Sequence, residues 1–549
     1  MFIAAFSWLI IGYQQKTQAT ASSGGIYPEG LIGQPRYINP LFSSYNDPDR
    51  DLTSLIFSGL LKYDCQGELV PDLAEKYTVS QDGKTYDVII KKDIKWSDGE
   101  ELNADDIIYT IQTAQDPSFN SPLRPNWQGV NVEKIDQYNI RFTLKTPYAP
   151  FLHHLTTGIL PRHIWQSIDA TNFPLAQHHL SPIGSGPYRF KKLQKDANGN
   201  IRYLELTLFK DYFGPKPNIE TLAFRFYPNQ DDAIAGLNKG EVDGLSYITA
   251  QNKNKIQDIA DVDLTSIQLP RYFAIFFNQS QNKALATKEV RQALNLTTDK
   301  KAIVDDLLNG QGQIINSPLD FNFPLKVAPI VNTDVNPSQA QEILDKAGWK
   351  QPPDEQSPVK NDQGITIRQK TIGRDAAPTL LEIDLVTTDW PELSDVGQLV
   401  KKQWEQIGAK INLQIVELAA IQQDFIKSRN YQALLFGEIL SADPDPFAFW
   451  HSSQKKDPGL NLALYDNPKT DKLLEEARQE SNSDIRTQKY QEFQKILTDD
   501  LPAIFLYNPV YLYPVSHKLK GVNITRIYLP NQRFCQIEDW YLKTKRIPK

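Results

Sequence analysis

Stretches whose hydrophobicity alternates every second residue and stretches that repeat every 3.6 residues follow one another along this chain, with no internal repeat. That interleaving is the strongest constraint on what the chain can fold into, because strands and helices mixed along one polypeptide pack as an α/β fold. Thr85 to Ile90 (TYDVII), Asn139 to Leu144 (NIRFTL), Ile201 to Phe209 (IRYLELTLF) and Leu222 to Tyr227 (LAFRFY) carry the period-two mark of half-buried strands. Helical spacing puts Val290, Ala293 and Leu294 on one face. A second stripe, Ile303, Val304, Leu307 and Leu308, ends at Asn309-Gly310, a C-cap pair. Pro337 to Gly348 and Ser483 to Leu497 read as further helices, and Val396 to Ile407 followed by Lys410 to Val416 as a helix and then a strand. Gln351 to Thr379, with Pro352, Pro353, Pro358 and Pro378 among polar residues, is expected to be an exposed hairpin or loop. At 549 residues the chain is long enough for three or four folding units of about 150 residues, hence several cores.

Charge removes several partner classes. The 59 basic and 66 acidic residues leave a net charge of −7 without any long basic block, which argues against nucleic acid or an anionic membrane surface as the main partner. Cys65 and Cys535 are too few for a disulfide scaffold or a Cys-rich metal site, and one bridge requires the chain ends to meet, which spacing leaves open. Phe2 to Tyr13 is apolar and uncharged but shorter than the roughly 20 residues of a bilayer span. It resembles the apolar core of a secretory signal without the basic segment before it. The expectation is an exported protein whose fuller signal or membrane anchor lies upstream, with a flexible polar tether running to Gly25. A buried N-terminal helix is the alternative.

Enzymatic motifs are sparse. The histidines His153, His154, His163, His178, His179, His451 and His517 show no i, i+4 pair of the helical zinc kind. Neither a phosphate-binding loop with Lys-Ser/Thr nor a Gly-x-Ser-x-Gly elbow occurs. Glu475-Glu476 lies in a charged helical stretch and reads as a solvated face. Two unrecognised carboxylates acting on a glycoside remain open, since acids are abundant.

A set of short strings, in order over nearly the whole chain, carries a family resemblance. They are Asp51 to Leu61 (DLTSLIFSGLL), Asp64-Cys65-Gln66-Gly67, Val70 to Ala74 (VPDLA), Asp82 to Tyr86 (DGKTY), Trp96 to Gly99 (WSDG) and Asn103 to Asp106 (NADD). Gly184 to Phe190 (GSGPYRF), Gly240 to Asp243 (GEVD), Asn278 with Val290 to Leu294 (VRQAL), Leu344 to Trp349 (LDKAGW) and Asp443 to Phe447 (DPDPF) complete the series. Asp-Gly pairs make tight turns, and Asn103 or Asp105 can start a helix, but each string alone is common. Their order and spacing resemble the family 5 solute-binding proteins of ABC importers, the oligopeptide- and dipeptide-binding group.

The resemblance implies a two-lobed periplasmic-binding-protein-like clamp of the large three-subdomain type, hinged between its lobes. Mapped onto this chain, residues 1–25 are the export segment and tether. Residues 26–272 and 506–549 form lobe one, with an inserted subdomain at about 61–178, and 273–505 form lobe two. It further implies an extracytoplasmic, monomeric binder that captures an oligopeptide between the lobes, needs no cofactor, and delivers it to permease and ATPase subunits, with N-terminal membrane association. Nickel–chelator, opine, glutathione or sugar-oligomer ligands, or a peptide sensor, are the alternatives. In the family an aspartate before an acidic-Pro pair holds the peptide ammonium, which points to Asp443 first and Asp445 second. Capping of the following turn is the plainer role for both. Phe447, Phe449, Trp450 and His451 could line side-chain pockets or simply pack a helix face, and Tyr109, Trp390 and Tyr431 are further ligand-contact residues. The loop Thr387 to Glu392 lacks the arginine that grips the ligand carboxylate in dipeptide-selective relatives, so longer peptides fit better.

Overall fold

The computed structural model describes residues 17–321, 327–330, 334–353, 359–372, 377–440, 442–443 and 445–548. The apolar run Phe2 to Tyr13 lies outside them. The chain divides into two compact units, Met1–Gln268 with Tyr511–Lys549, and Leu269–Val510. It therefore crosses between units at Gln268–Leu269 and again at Val510–Tyr511.

Unit one opens with β1 (Thr17–Ser22) and β2 (Ile26–Ile32), then α1 (Asp47–Ile56), whose N-cap Asn46 accepts from the Asp49 amide. An inserted layer follows: β3 (Ala74–Val79), β4 (Thr85–Ile90), α2 (Ala104–Gln115), β5 (Asn131–Lys134) and β6 (Asn139–Thr143). Its strands form an antiparallel sheet in the order β3-β4-β6-β5. The alternation read in TYDVII and NIRFT becomes a buried face of Tyr86, Val88, Ile90, Ile140 and Phe142. Asn103 and Asp106 make a reciprocal capping box that starts α2. The main sheet continues with β7 (Tyr188–Lys195), β8 (Ile201–Leu208), β9 (Thr221–Tyr227), α3 (Gln230–Asn238), β10 (Gly244–Leu245) and β11 (Val262–Ile267). β2 runs parallel to both β9 and β10, from Ile26 opposite Thr221 to Ile32 opposite Tyr227.

Unit two holds β12 (Arg271–Phe277), α4 (Lys288–Thr297), β13 (Gly312–Ile314), α5 (Pro337–Lys346), β14 (Glu382–Thr388), α6 (Pro391–Glu405), β15 (Lys410–Val416), β16 (Ala433–Ile439), α7 (Pro468–Gln479), α8 (Ser483–Asp500) and β17 (Ala503–Pro509). Its six-stranded sheet has the order β13-β17-β12-β16-β14-β15, with β14 parallel to β15 and β16. One face buries Tyr272, Phe276, Leu434 and Phe505 against Trp450, Tyr490, Phe493 and Leu497. The boundaries expected from sequence, after residues 272 and 505, would cut β12 and β17. Both strands stay whole in unit two, because every β12 ladder is made with β16 and β17.

The chain returns to unit one as β18 (Tyr511–Ser516), which enters the main sheet to give the order β11-β18-β10-β2-β9-β8-β7, and ends as β19 (Lys543–Pro548). β19 pairs antiparallel with β1, so part of the stretch expected as a flexible tether is a strand with a full ladder. Cys65 and Cys535 form a disulfide inside unit one, with Cα atoms 5.5 Å apart. Within Gln351 to Thr379, expected to be an exposed hairpin or loop, Gln369–Lys370 pairs antiparallel with Thr379–Leu380 and many described residues are exposed, but Asn361, Ile367 and Arg368 are buried. Buried Arg368 donates to the Ile407 and Trp349 carbonyls, each at 2.8 Å, and buried Asn361 to those of Glu405 and Ala409.

Candidate functional site at the strand carboxyl ends

In open α/β sheets, ligands bind outside the carboxyl ends of the parallel strands, where chain reversals leave backbone groups and loop side chains available. In unit two that edge carries the turn after β14, the segment after β16 and, because β12 is antiparallel to β16 with Arg271 opposite Ile439, the first residues of β12.

The segment after β16 contains Asp443 and Asp445. Both Asp443 oxygens accept from Arg486 of α8, one from Nη1 at 2.7 Å and the other from Nη2, and the pair is buried. Burial works against the Arg486 charge, but Asp443 and Tyr490 outweigh it and raise its pKa. Asp445 Oδ2 accepts from Arg478 Nε of α7 at 2.7 Å, and its Oδ1 from the Phe447 amide at 3.1 Å. Burial pushes the Asp445 carboxyl up, and the Arg478 charge offsets this in part. The residues expected to meet an ammonium thus each hold a guanidinium of their own unit, for which the sequence offered no warning because the partners lie 33 and 43 residues downstream. Phe447 is half-buried, stacked on His451 with centroids 4.0 Å apart, with the Arg478 guanidinium 4.0 Å from its ring. Trp450 is core: it packs on Phe276, Phe505 and Tyr465. Phe449 flanks the same cluster.

Trp390 ends the turn after β14 as the residue before α6, its indole edge-on to Phe273 at 6.1 Å. Phe273 stacks on Tyr507 at 5.1 Å and lies over Gly437, where a Cβ would come within 2.5 Å of the ring. Tyr507 donates to buried Glu392 at 2.9 Å; burial raises the Glu392 pKa, and the charge of Arg271 opposes the shift. The Thr387 to Glu392 loop has no arginine of its own, but Arg271 reaches its environment from β12. On the opposite face, Tyr272 donates to Glu438, whose second carboxyl oxygen is buried without a partner. Burial pushes this carboxyl well above the ordinary range. Arg271, Glu392 and Glu438 escaped sequence reading. An acid inside the apolar run LLFGEIL was the available signal for Glu438. Tyr431 precedes β16 at the other end of the strand; it is buried and donates to the Leu462 carbonyl at 2.5 Å, away from the edge residues Trp390 and Phe447.

Unit one presents the other parallel edge. Just past β2, a cavity of about 900 Å³ is lined by Gln34, Arg36, Tyr37, Phe42, Tyr45 and Phe119, among others. Asp49 of α1 fixes the lining residues Arg36 and Tyr37 by accepting from their amides at 2.7 and 2.9 Å. Burial lifts the Asp49 pKa to about 6 against these hydrogen bonds. Tyr109 is half-buried on α2 and does not line this cavity. Among the described residues, no three His, Cys, Asp or Glu side chains are grouped to hold a metal ion.

Comparison with known proteins places this architecture. The oligopeptide-binding protein AppA of Bacillus subtilis is 29% identical over 542 residues, which cover 96% of this chain and 93% of that one. The structure of AppA in complex with a nonapeptide matches with a TM-score of 0.75 at 28% identity, covering 95% of this chain and 100% of that chain. NikZ from Campylobacter jejuni in complex with Ni(L-His) matches with a TM-score of 0.75 at 26% identity, covering 94% and 99%. Residues 68–497 match the family described as bacterial extracellular solute-binding proteins, family 5 Middle. With well over half of its length inside that match and the two-unit α/β fold around it, the chain belongs to the family 5 extracellular solute-binding proteins.

Proposed function

We propose that this chain is the extracytoplasmic binding component of an ABC importer, that it captures oligopeptides, and that it hands them unchanged to permease and ATPase subunits. The observation that carries this reading is its nearly full-length likeness to AppA, a protein named for oligopeptide binding and solved with a nonapeptide. An extended peptide offers a row of N–H and C=O groups that can be gripped without reading side chains, which suits a binder of mixed sequences. The clamp closes by bending at the two chain crossings, Gln268–Leu269 and Val510–Tyr511. Trp390, Phe447 and Tyr109 supply aromatic contacts. Asp443 and Asp445 hold the segment before Phe447 through Arg486 and Arg478, while Trp450 and Tyr431 support it from the core. Membrane association, in this reading, comes from the apolar run Phe2 to Tyr13. Among the described residues no helix is long and apolar enough to cross a membrane.

Mass spectrometry of ligand carried through purification and released by denaturation tests the proposal. Peptides of mixed sequence are expected. One defined metabolite, or a nickel–histidine complex of the kind bound by NikZ, replaces the peptide reading. Conversion of an added peptide into products overturns the assignment as a binder.

A further inference from the structure

The cavity past β2 has lining residues held in place and a charge of its own. Its loop, Gly33 to Asn46, is fixed at several points. Asp49 takes the Arg36 and Tyr37 amides, the Asn46 side chain accepts from the Asp49 amide at 2.8 Å, and Gln34 Oε1 accepts from the Ile201 amide at 2.9 Å. A loop held this way loses little entropy when a ligand arrives. Three rings form a continuous apolar wall: Tyr37 to Phe42 at 5.7 Å, Phe42 to Tyr45 at 6.4 Å and Tyr37 to Tyr45 at 6.3 Å. Tyr45 remains 59% exposed, so much of this residue is open to an incoming group. Phe119 and Pro174 also line the cavity.

The charge is Arg36. Its side chain is exposed, and among the described residues no carboxylate lies within ion-pair distance of its guanidinium. The acid nearest in effect, Asp49, is buried, and its Oδ1 already accepts two amides. The cavity thus combines an aromatic wall with a guanidinium that has no ion-pair partner among the described residues, in a chain whose net charge is −7. A guanidinium recognises carboxylates through paired N–H donors, and aromatic walls recognise flat apolar groups.

We propose that this cavity seats the carboxylate-bearing end of the ligand, with an aromatic or bulky apolar group against Tyr37, Phe42 and Tyr45 and its carboxylate on Arg36. The inference rests on the peptide reading for its preferred occupant, the C-terminal residue of a peptide. The same chemistry occurs in a free aromatic acid.

Calorimetric titration of the full chain with three probes separates these cases: a pentapeptide ending in phenylalanine as the free acid, its C-terminal amide, and N-acetyl-phenylalanine. The free-acid peptide is expected to bind about tenfold more tightly than the amide, the size of one charge-assisted hydrogen bond, with a gap that shrinks as salt is raised. Arg36→Gln should bring the free acid down to the affinity of the amide. Ala170 also lines the cavity, so Ala170→Trp should weaken both peptides, with thermal melting used to establish that each variant is folded. Equal binding of acid and amide to the unaltered protein overturns the inference while leaving peptide capture intact, as does a gap that survives Arg36→Gln. If neither peptide binds but N-acetyl-phenylalanine does so in an Arg36-dependent way, the cavity assignment stands and the peptide reading falls. If no probe binds, both fall.

Discussion

Buried acids in this protein follow opposite rules depending on what each one faces. Asp443 meets Arg486 through both oxygens in a buried site, so removing its charge strands a guanidinium. Asp443→Asn is expected to destabilise unit two by roughly 3–5 kcal/mol, whatever ligand is present. Glu438 meets only a tyrosine hydroxyl and burial disfavours its charge, so Glu438→Gln, a neutral replacement of similar shape, should change stability by less than about 1 kcal/mol. Urea unfolding of the two variants, side by side, checks the contrast. Lys300 is a third case. It is buried, its Nζ donates to Asn316 Oδ1 at 2.8 Å, and burial outweighs the pull of Asp320 to lower its pKa from 10.5 to about 8. Between those values the unfolded chain holds a proton that the folded protein has released, so stability rises with pH there, by at most about 1.4 kcal/mol per pH unit. Unfolding of the unaltered protein and of Lys300→Met at pH values across this window should show the rise only in the former. None of these partnerships was legible in the sequence: DPDPF announces a turn, but Arg486 and Arg478 are brought to it only by the packing of α7 and α8.

Elements were far more legible than their partners. The helices α4 and α5 and the strands β4, β6, β8, β9 and β15 lie where hydrophobic period and capping residues put them, although β9 and the middle of β8 are buried on both faces. What failed was reach. β1 and the docked parts of Gln351 to Thr379 are polar segments whose structure comes from distant chain, β19 in one case and the end of α6 in the other. Period carries no record of such pairings. The turn Gly184-Ser185-Gly186 shows the opposite, a motif whose reason appears only in three dimensions. The Gly186 amide donates to the Ile56 carbonyl at 2.7 Å, which closes α1 against the start of β7. A Cβ on Gly184 would lie 2.0 Å from that same carbonyl oxygen. The approach is backbone on backbone, so no side chain can swing aside. Gly184→Ala should therefore cost about 1–3 kcal/mol or more, read as a lower urea midpoint with an unchanged slope.

At the scale of the molecule, the two units differ in how the chain makes them. Unit two is one continuous stretch, Leu269–Val510, whereas unit one needs its last segment, Tyr511–Lys549, to be complete. That segment is structural from end to end. β18 stands inside the main sheet between β11 and β10, and Arg533, fully buried, holds both Glu29 of β2 and Asp51 of α1. Burial raises the pKa of both acids, and the Arg533 charge is what opposes it. The disulfide from Cys535 to Cys65, 470 residues apart in sequence, fastens the same segment to the base of the inserted layer. Every one of these ties lies within unit one. Replacing both cysteines by serine should therefore lower the stability of one unit only, by roughly 2–5 kcal/mol. Calorimetry should show a single melting transition displaced downward while the other keeps its position. The fragment 269–510, made alone, is expected to reproduce the transition that does not move. Equal displacement of both transitions in the double variant would mean that the units melt as one, and that the returning segment stabilises the whole chain rather than the half it completes.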